Sequence, residues 1–203
     1  MLYNIINTFQ INEMSVLREM VGQKLNFLST DKPIQSAEYN GQVSYVVFNV
    51  GEQNKLYILN SEFVQMSDSD EYSKFFIRQI SKEDMKIARY RYWEMINGKK
   101  VEIPFKWYES ALSQQIDSIE IVRDQAEWSY NNSVWKVTTD VALKLKTQKN
   151  KIVFVLQDSL SCFISMYYNY LCDDNELVER QWSNRSWGIK SELTHLERKV
   201  IKL

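Results

Sequence analysis

Apolar and polar residues alternate in short runs along most of this chain, and two of the runs resemble one another. Val43, Tyr45 and Val47 lead into a stretch that closes on Asn54-Lys55-Leu56-Tyr57-Ile58-Leu59. Val141, Leu143 and Leu145 lead likewise into Asn150-Lys151-Ile152-Val153-Phe154-Val155. Alternation with period two is the signature of a half-buried strand, so each run predicts a hairpin. Upstream of each lies a short apolar strand, Leu25–Leu28 or Ile119–Val122. Before that comes a helix-like stretch, with Leu17 and Val21 in one half and Leu112 and Ile116 in the other. The shared order and spacing predict two tandem copies of one unit. The expected fold class is therefore α+β, with a short helix and a small, mostly antiparallel sheet in each of two similar units packed together. The expected division is 1–107, which includes an Asn97-Gly98 hairpin, and 108–203 as the possible duplicate. A single continuous sandwich is the alternative.

The remaining pattern fills in between these marks. Residues 3–9 predict a first strand. Glu13 to Gly22 predicts a helix, with Met14, Leu17, Met20 and Val21 at helical spacing and Gly22 as its stop. Ser29 to Gly41 is polar and predicts a loop ending in an Asn40-Gly41 turn. Val43–Val50 and Lys55–Asn60 form the first hairpin about Gly51–Asn54, and Ser67 to Glu71 is an acidic loop or helix start. Asn97-Gly98 is the strongest two-residue hairpin signal in the chain. After it Val101, Ile103, Phe105 and Trp107 alternate with polar residues, and Pro104 suits an edge strand. Tyr108 to Ile116 predicts the second helix, Trp128 to Trp135 a polar aromatic loop, and Val137 to Leu156 the second hairpin. Leu193, Leu196 and Val200 suggest a short helix, with Lys199–Leu203 as a closing strand.

Composition narrows the function classes. The 203 residues carry a formal net charge of -1, which gives no overall pull toward DNA or an anionic membrane. Only 5 glycines leave little room for a phosphate-cradling loop. Aromatics reach 13%, a content that serves either a β-rich core or a protein-binding face. Cys162 and Cys172 make neither a disulfide framework nor a zinc site, and are expected to be reduced cysteines of a cytoplasmic protein. No signal-peptide pattern opens the chain and no apolar run approaches a membrane span. The sequons at Asn131 and Asn184 then read as chance matches.

Candidate chemistry is sparse. His195 is the only histidine. It sits in what reads as a surface helix, away from any nucleophile motif, and a single histidine rules out a multi-histidine metal site. Asp68/Asp70, Glu83/Asp84 and Asp173/Asp174 with Glu176 lack the spacing of a calcium loop. The acidic residues Glu38, Glu52, Glu62, Glu71, Asp117, Glu120, Asp124 and Glu127 read as scattered surface. The densest unusual patch is Lys86, Arg89, Tyr90, Arg91, Tyr92 and Trp93, with Lys99 and Lys100 across the hairpin. Alternation places Arg89, Arg91 and Trp93 on one face of a strand. Such a patch serves a solvated strand, a protein-binding face, or stacking and phosphate contacts with nucleic acid. The candidate binding residues are Arg89, Arg91, Trp93, Lys99 and Lys100, and no catalytic or metal-ligating residue is nominated.

The run from Leu17 to Gly22, the strand after it and the hairpin ending in Asn54-Lys55-Leu56-Tyr57-Ile58 resemble bacterial immunity proteins that neutralise polymorphic or contact-dependent toxins. The resemblance covers residues 14–60, with a weaker echo at 109–156. It implies a stoichiometric inhibitor that covers a toxin's active site without a cofactor. The expected function is thus non-enzymatic binding of one protein partner, such as a cognate toxin, without membrane or nucleic acid. The alternatives are an enzyme with a loop-assembled carboxylate or tyrosine site, and a phage-type nucleic-acid-associated protein using the basic-aromatic hairpin.

Overall fold

The computed structural model describes residues 1–34, 37–65, 71–87, 92–103, 107–130, 132–156, 163–170, 173 and 193–203. In chain order the elements are β1 (Leu2–Asn7), α1 (Ile11–Met20), β2 (Lys24–Thr30), β3 (Tyr39–Val43), β4 (Tyr45–Val50), β5 (Lys55–Gln65) and β6 (Glu71–Ile80). There follow α2 (Lys82–Ile87), β7 (Tyr92–Ile96), β8 (Lys99–Ile103), β9 (Tyr108–Tyr130), β10 (Ser133–Thr147), β11 (Lys151–Leu156), β12 (Ile164–Tyr168) and β13 (Leu193–Lys202). Strand accounts for 70% of the structure and helix for 9%, which overturns the expected α+β pair of helix-plus-sheet units.

One sheet of 11 strands organises the molecule, in the order β3-β12-β11-β10-β9-β2-β4-β5-β6, with β1 beside β10 and β13 beside β9. Its neighbours are antiparallel except for the parallel β1–β10 pair. Two runs, β2-β4-β5-β6 and β9-β10-β11-β12, follow the same order of pairing and meet at the β2–β9 junction. Strand pairing also crosses residue 107, since β1 joins β10 and β3 joins β12.

The predicted second helix is instead the first part of β9. Tyr108 to Gln115 pair with β2, closing at Lys24 opposite Gln115. Leu112 and Ile116 stand four apart, a spacing that fits a helical face and is also an even number of strand positions. Partly or fully buried and exposed residues alternate from Tyr108 to Ile116, and only a strand buries them in that order. The tie is broken by β2, whose open edge supplies the main-chain partners. The same ambiguity affects Leu196 and Val200, which lie in β13 and not in a helix. Trp128 to Trp135 is a hairpin end instead of a loop, and Trp128 pairs with Trp135 across it.

Bulges keep the long strands aimed at the core. Asp117 is an extra residue opposite β10, between Ile116 and Ser118. It brings Ile116 back to the face of Ile119 and Ile121, and all three belong to the main core. That core joins Leu28, Phe48, Leu59, Phe75, Leu143 and Phe154 to Leu17 and Met20 of α1. The opposite face holds a second cluster, Val122, Ala126, Val141, Ala142, Val153 and Val155. It continues into Ile5, Trp135 and Val137, capped by Tyr3 stacked on Trp135 at 4.0 Å.

The predicted first helix is α1. Gln10 and Glu13 form a reciprocal capping box at its start, and Gly22 follows its end at φ 79°. The Asn40-Gly41 turn, by contrast, does not occur. Both residues lie inside β3, with Gly41 opposite Met166. The Tyr39 ring lies over Gly41, where a Cβ would collide with its phenol. The glycine serves a close aromatic approach and not a turn.

Candidate functional site

The basic-aromatic segment folds, where described, as an antiparallel hairpin of β7 and β8. It forms a two-stranded sheet separate from the large one. Asn97 and Gly98 take φ 50° and 73°, the left-handed pair that a tight two-residue hairpin turn requires. The register sets Trp93 opposite Glu102, Glu94 opposite Val101, Met95 opposite Lys100 and Ile96 opposite Lys99. Every residue from Met95 to Val101 is exposed. Among them are three large apolar side chains, Met95 at 70%, Ile96 at 44% and Val101 at 38%.

The described residues that precede and follow this hairpin in the chain are held to the fold. Before it, Ser81 and Asp84 cap α2 reciprocally, since the Ser81 N–H donates to Asp84 Oδ2 at 2.9 Å and the Asp84 N–H donates to Ser81 Oγ at 3.0 Å. The Ser81 N–H, and after it the Ser81 hydroxyl, which also donates to Asp84 Oδ2 at 2.8 Å, hold the Asp84 carboxyl below its ordinary value. After the hairpin, the Trp107 indole N–H donates to the Met85 carbonyl at 3.1 Å. Met85 and Trp107 both pack on Val47, Leu56, Ile58 and Ile80 of the large sheet.

Of the predicted patch, Lys99 and Lys100 are exposed on β8, beside the turn. Trp93 lies in β7. Arg89 and Arg91 lie outside the described residues, as do Asp68, Asp70, Asp174, Glu176, Cys162 and Cys172. Met95, Ile96 and Val101 were not nominated from sequence. A signal was available at Ile96, which directly precedes Asn97-Gly98 and has no core to enter when the turn projects.

Three buried carboxylates elsewhere are held by structural partners. Asp124, expected on the surface, is fully buried and takes a bidentate contact from Arg198, with Nε and Nη2 each at 2.7 Å. Asp140 accepts from Arg123 Nε at 2.6 Å and from the Phe9 N–H at 2.7 Å. Glu13 accepts from the Gln10 N–H at 2.6 Å and the Ile77 N–H at 3.3 Å, with Lys74 Nζ at 3.9 Å. A carboxylate held this way is an acceptor with its charge already compensated. His195 lies exposed on β13 opposite Glu127, not on a surface helix. Burial raises the phenols of Tyr39, Tyr57 and Tyr168, with Asp31 and Glu19 adding to the first two. Phenols shifted upward hold their protons at neutral pH.

Among the described residues no group of three or more His, Cys, Asp or Glu side chains is placed to hold a metal ion. No described helix is long and apolar enough to cross a membrane. No protein-family model, curated protein or solved structure significantly matches the chain.

Proposed function

We propose that this chain is a non-enzymatic protein-binding protein that engages one partner through the tip of the β7–β8 hairpin. The observation that carries the reading is the exposure of Met95, Ile96 and Val101 on a hairpin separate from the large sheet. Covering an apolar side chain of this size contributes about 1.5–3 kcal/mol when burial is complete. Lys99 and Lys100 beside the apolar tip favour a partner cleft with an acidic rim.

The resemblance to immunity proteins makes a toxin the partner class to try first. The test is coexpression with a toxin encoded beside this chain. The wild-type protein should restore growth, and the M95D/I96D variant should not. Equal rescue by both proteins would remove the hairpin from the reading, and no rescue by either would remove the toxin.

A further inference from the structure

An edge of a sheet presents main-chain N–H and C=O groups that can template another strand, and proteins normally blunt such edges. Three edges of the large sheet are blunted. At β6 the Ile77 N–H donates to Glu13 of α1. The edge strand β13 carries Glu197, Arg198, Lys199 and Lys202. β3 is only 5 residues long, and its exposed residues, Asn40 and Gln42, are polar.

β1 carries neither the charges of β13 nor the wholly polar exposed residues of β3. Its sequence, Leu2-Tyr3-Asn4-Ile5-Ile6-Asn7, contains no charge and no proline, and its register against β10 runs without a bulge. Leu2 and Ile6 are exposed at 62% and 66%. The pairing fixes which groups face outward. The Val134 N–H donates to the Met1 carbonyl at 2.8 Å, and Leu2 lies opposite Val134 in a parallel ladder. Odd-numbered residues of β1 therefore bond to β10, and the N–H and C=O groups of Leu2, Asn4 and Ile6 point away from it. No described strand pairs with that edge.

We propose that β1 is a self-association edge, on which a second copy of this chain adds its own β1 antiparallel about a two-fold axis through Asn4. The argument for a copy lies in the order of the residues. About Asn4, Leu2 comes opposite Ile6 of the partner and Ile6 opposite Leu2, while Asn4 meets its own equivalent. An isologous interface needs that self-complementarity. The three outward-facing residues are the ones whose main chains would exchange hydrogen bonds, two for each pair. Leu2 and Ile6 lie on one face of the strand, so each Leu2 packs beside the partner's Ile6, with the two Asn4 side chains between the apolar pairs. The formal net charge of -1 opposes close approach of two copies only weakly. This inference is independent of the role given to the hairpin.

The test is light scattering coupled to size-exclusion chromatography across a dilution series. Two substitutions at the exposed Asn4 probe the edge. Asn4→Lys sets two ammonium groups opposite each other at the axis. Asn4→Pro removes an outward N–H donor and leaves the bonds to β10 intact. The wild type should be a dimer that dissociates on dilution. Both variants should be monomers at every concentration, with unchanged circular dichroism. In the wild type the amides of Leu2, Asn4 and Ile6 should gain exchange protection as concentration rises. A wild type that stays monomeric at the highest concentration, or a folded variant that keeps the dimer, would overturn the proposal.

Discussion

Arg198 holds Asp124 through both carboxylate oxygens at 2.7 Å, and in doing so ties β13 to β9 across a fully buried charge. The pair is flanked on its face by Ala126 opposite Leu196 and Val122 opposite Val200. A bidentate guanidinium satisfies a carboxylate that water cannot reach.

Removing one partner of this pair should be costly. Arg198→Ala takes the bidentate guanidinium away from the fully buried Asp124, and is expected to destabilise the protein by about 3–5 kcal/mol. The double variant R198M/D124L removes both charges and should recover most of that loss. Urea titration of the two variants checks this. A double variant as unstable as the single one would mean that packing, and not the charge, sets the cost.

Glu13 does two jobs, capping α1 and closing the edge of β6. Glu13→Ala should strand the Ile77 and Gln10 N–H groups and leave the buried Lys74 without its carboxylate, at a cost of about 1–3 kcal/mol for each group left unsatisfied. Hydrogen exchange provides a local readout. The Ile77 amide should lose protection well before its ladder neighbours, and uniform loss along β6 would argue against an edge role.

These two carboxylates also show where sequence reading reached its limit. Asp124 sits between Val122 and Ala126 at strand spacing, so its burial could have been read from the alternation. Its partner could not, because Arg198 lies 74 residues away and its own surroundings resemble a helix. Hairpins were legible wherever turn chemistry and alternation agreed, as at Gly51–Asn54 and Asn97-Gly98. Leu112 and Ile116 misled because a separation of four satisfies both periods, and the edge of β2 made the choice. Gly41 misleads because Asn40-Gly41 has the chemistry of a turn, while the ring over it belongs to Tyr39, two positions back on the same face of the strand.

Gly41 offers a test of that last point. Gly41→Ala should destabilise the protein by pressing its Cβ against the Tyr39 phenol. Tyr39→Ala removes the obstruction, so the two substitutions should be strongly non-additive, with a coupling of about 0.5–3 kcal/mol. Additive losses in thermal unfolding would show that the ring is not what demands a glycine.

The cap on α2 sets a pH dependence with a definite sign. The folded Asp84 carboxyl lies below its ordinary value of 3.8, so the unfolded chain takes up the proton first as pH falls. The cap's contribution is fully present above that ordinary value and is lost as pH drops through the lowered one. Carboxyl titration by NMR should find Asp84 below the usual aspartate range, and Ser81→Ala should move it upward. An unchanged midpoint in that variant would contradict the assigned cause.

The hairpin reading is tested most directly by quantitative affinity capture from native lysate at low and high salt, comparing wild type with M95D/I96D. Those side chains are exposed, so the fold and melting temperature of the variant should match the wild type. The expected result is one protein retained by the wild type at near-equal amount, surviving salt, and lost from the variant. The same protein held equally by both, or nucleic acid released by salt as the only bound species, would contradict docking through the apolar tip.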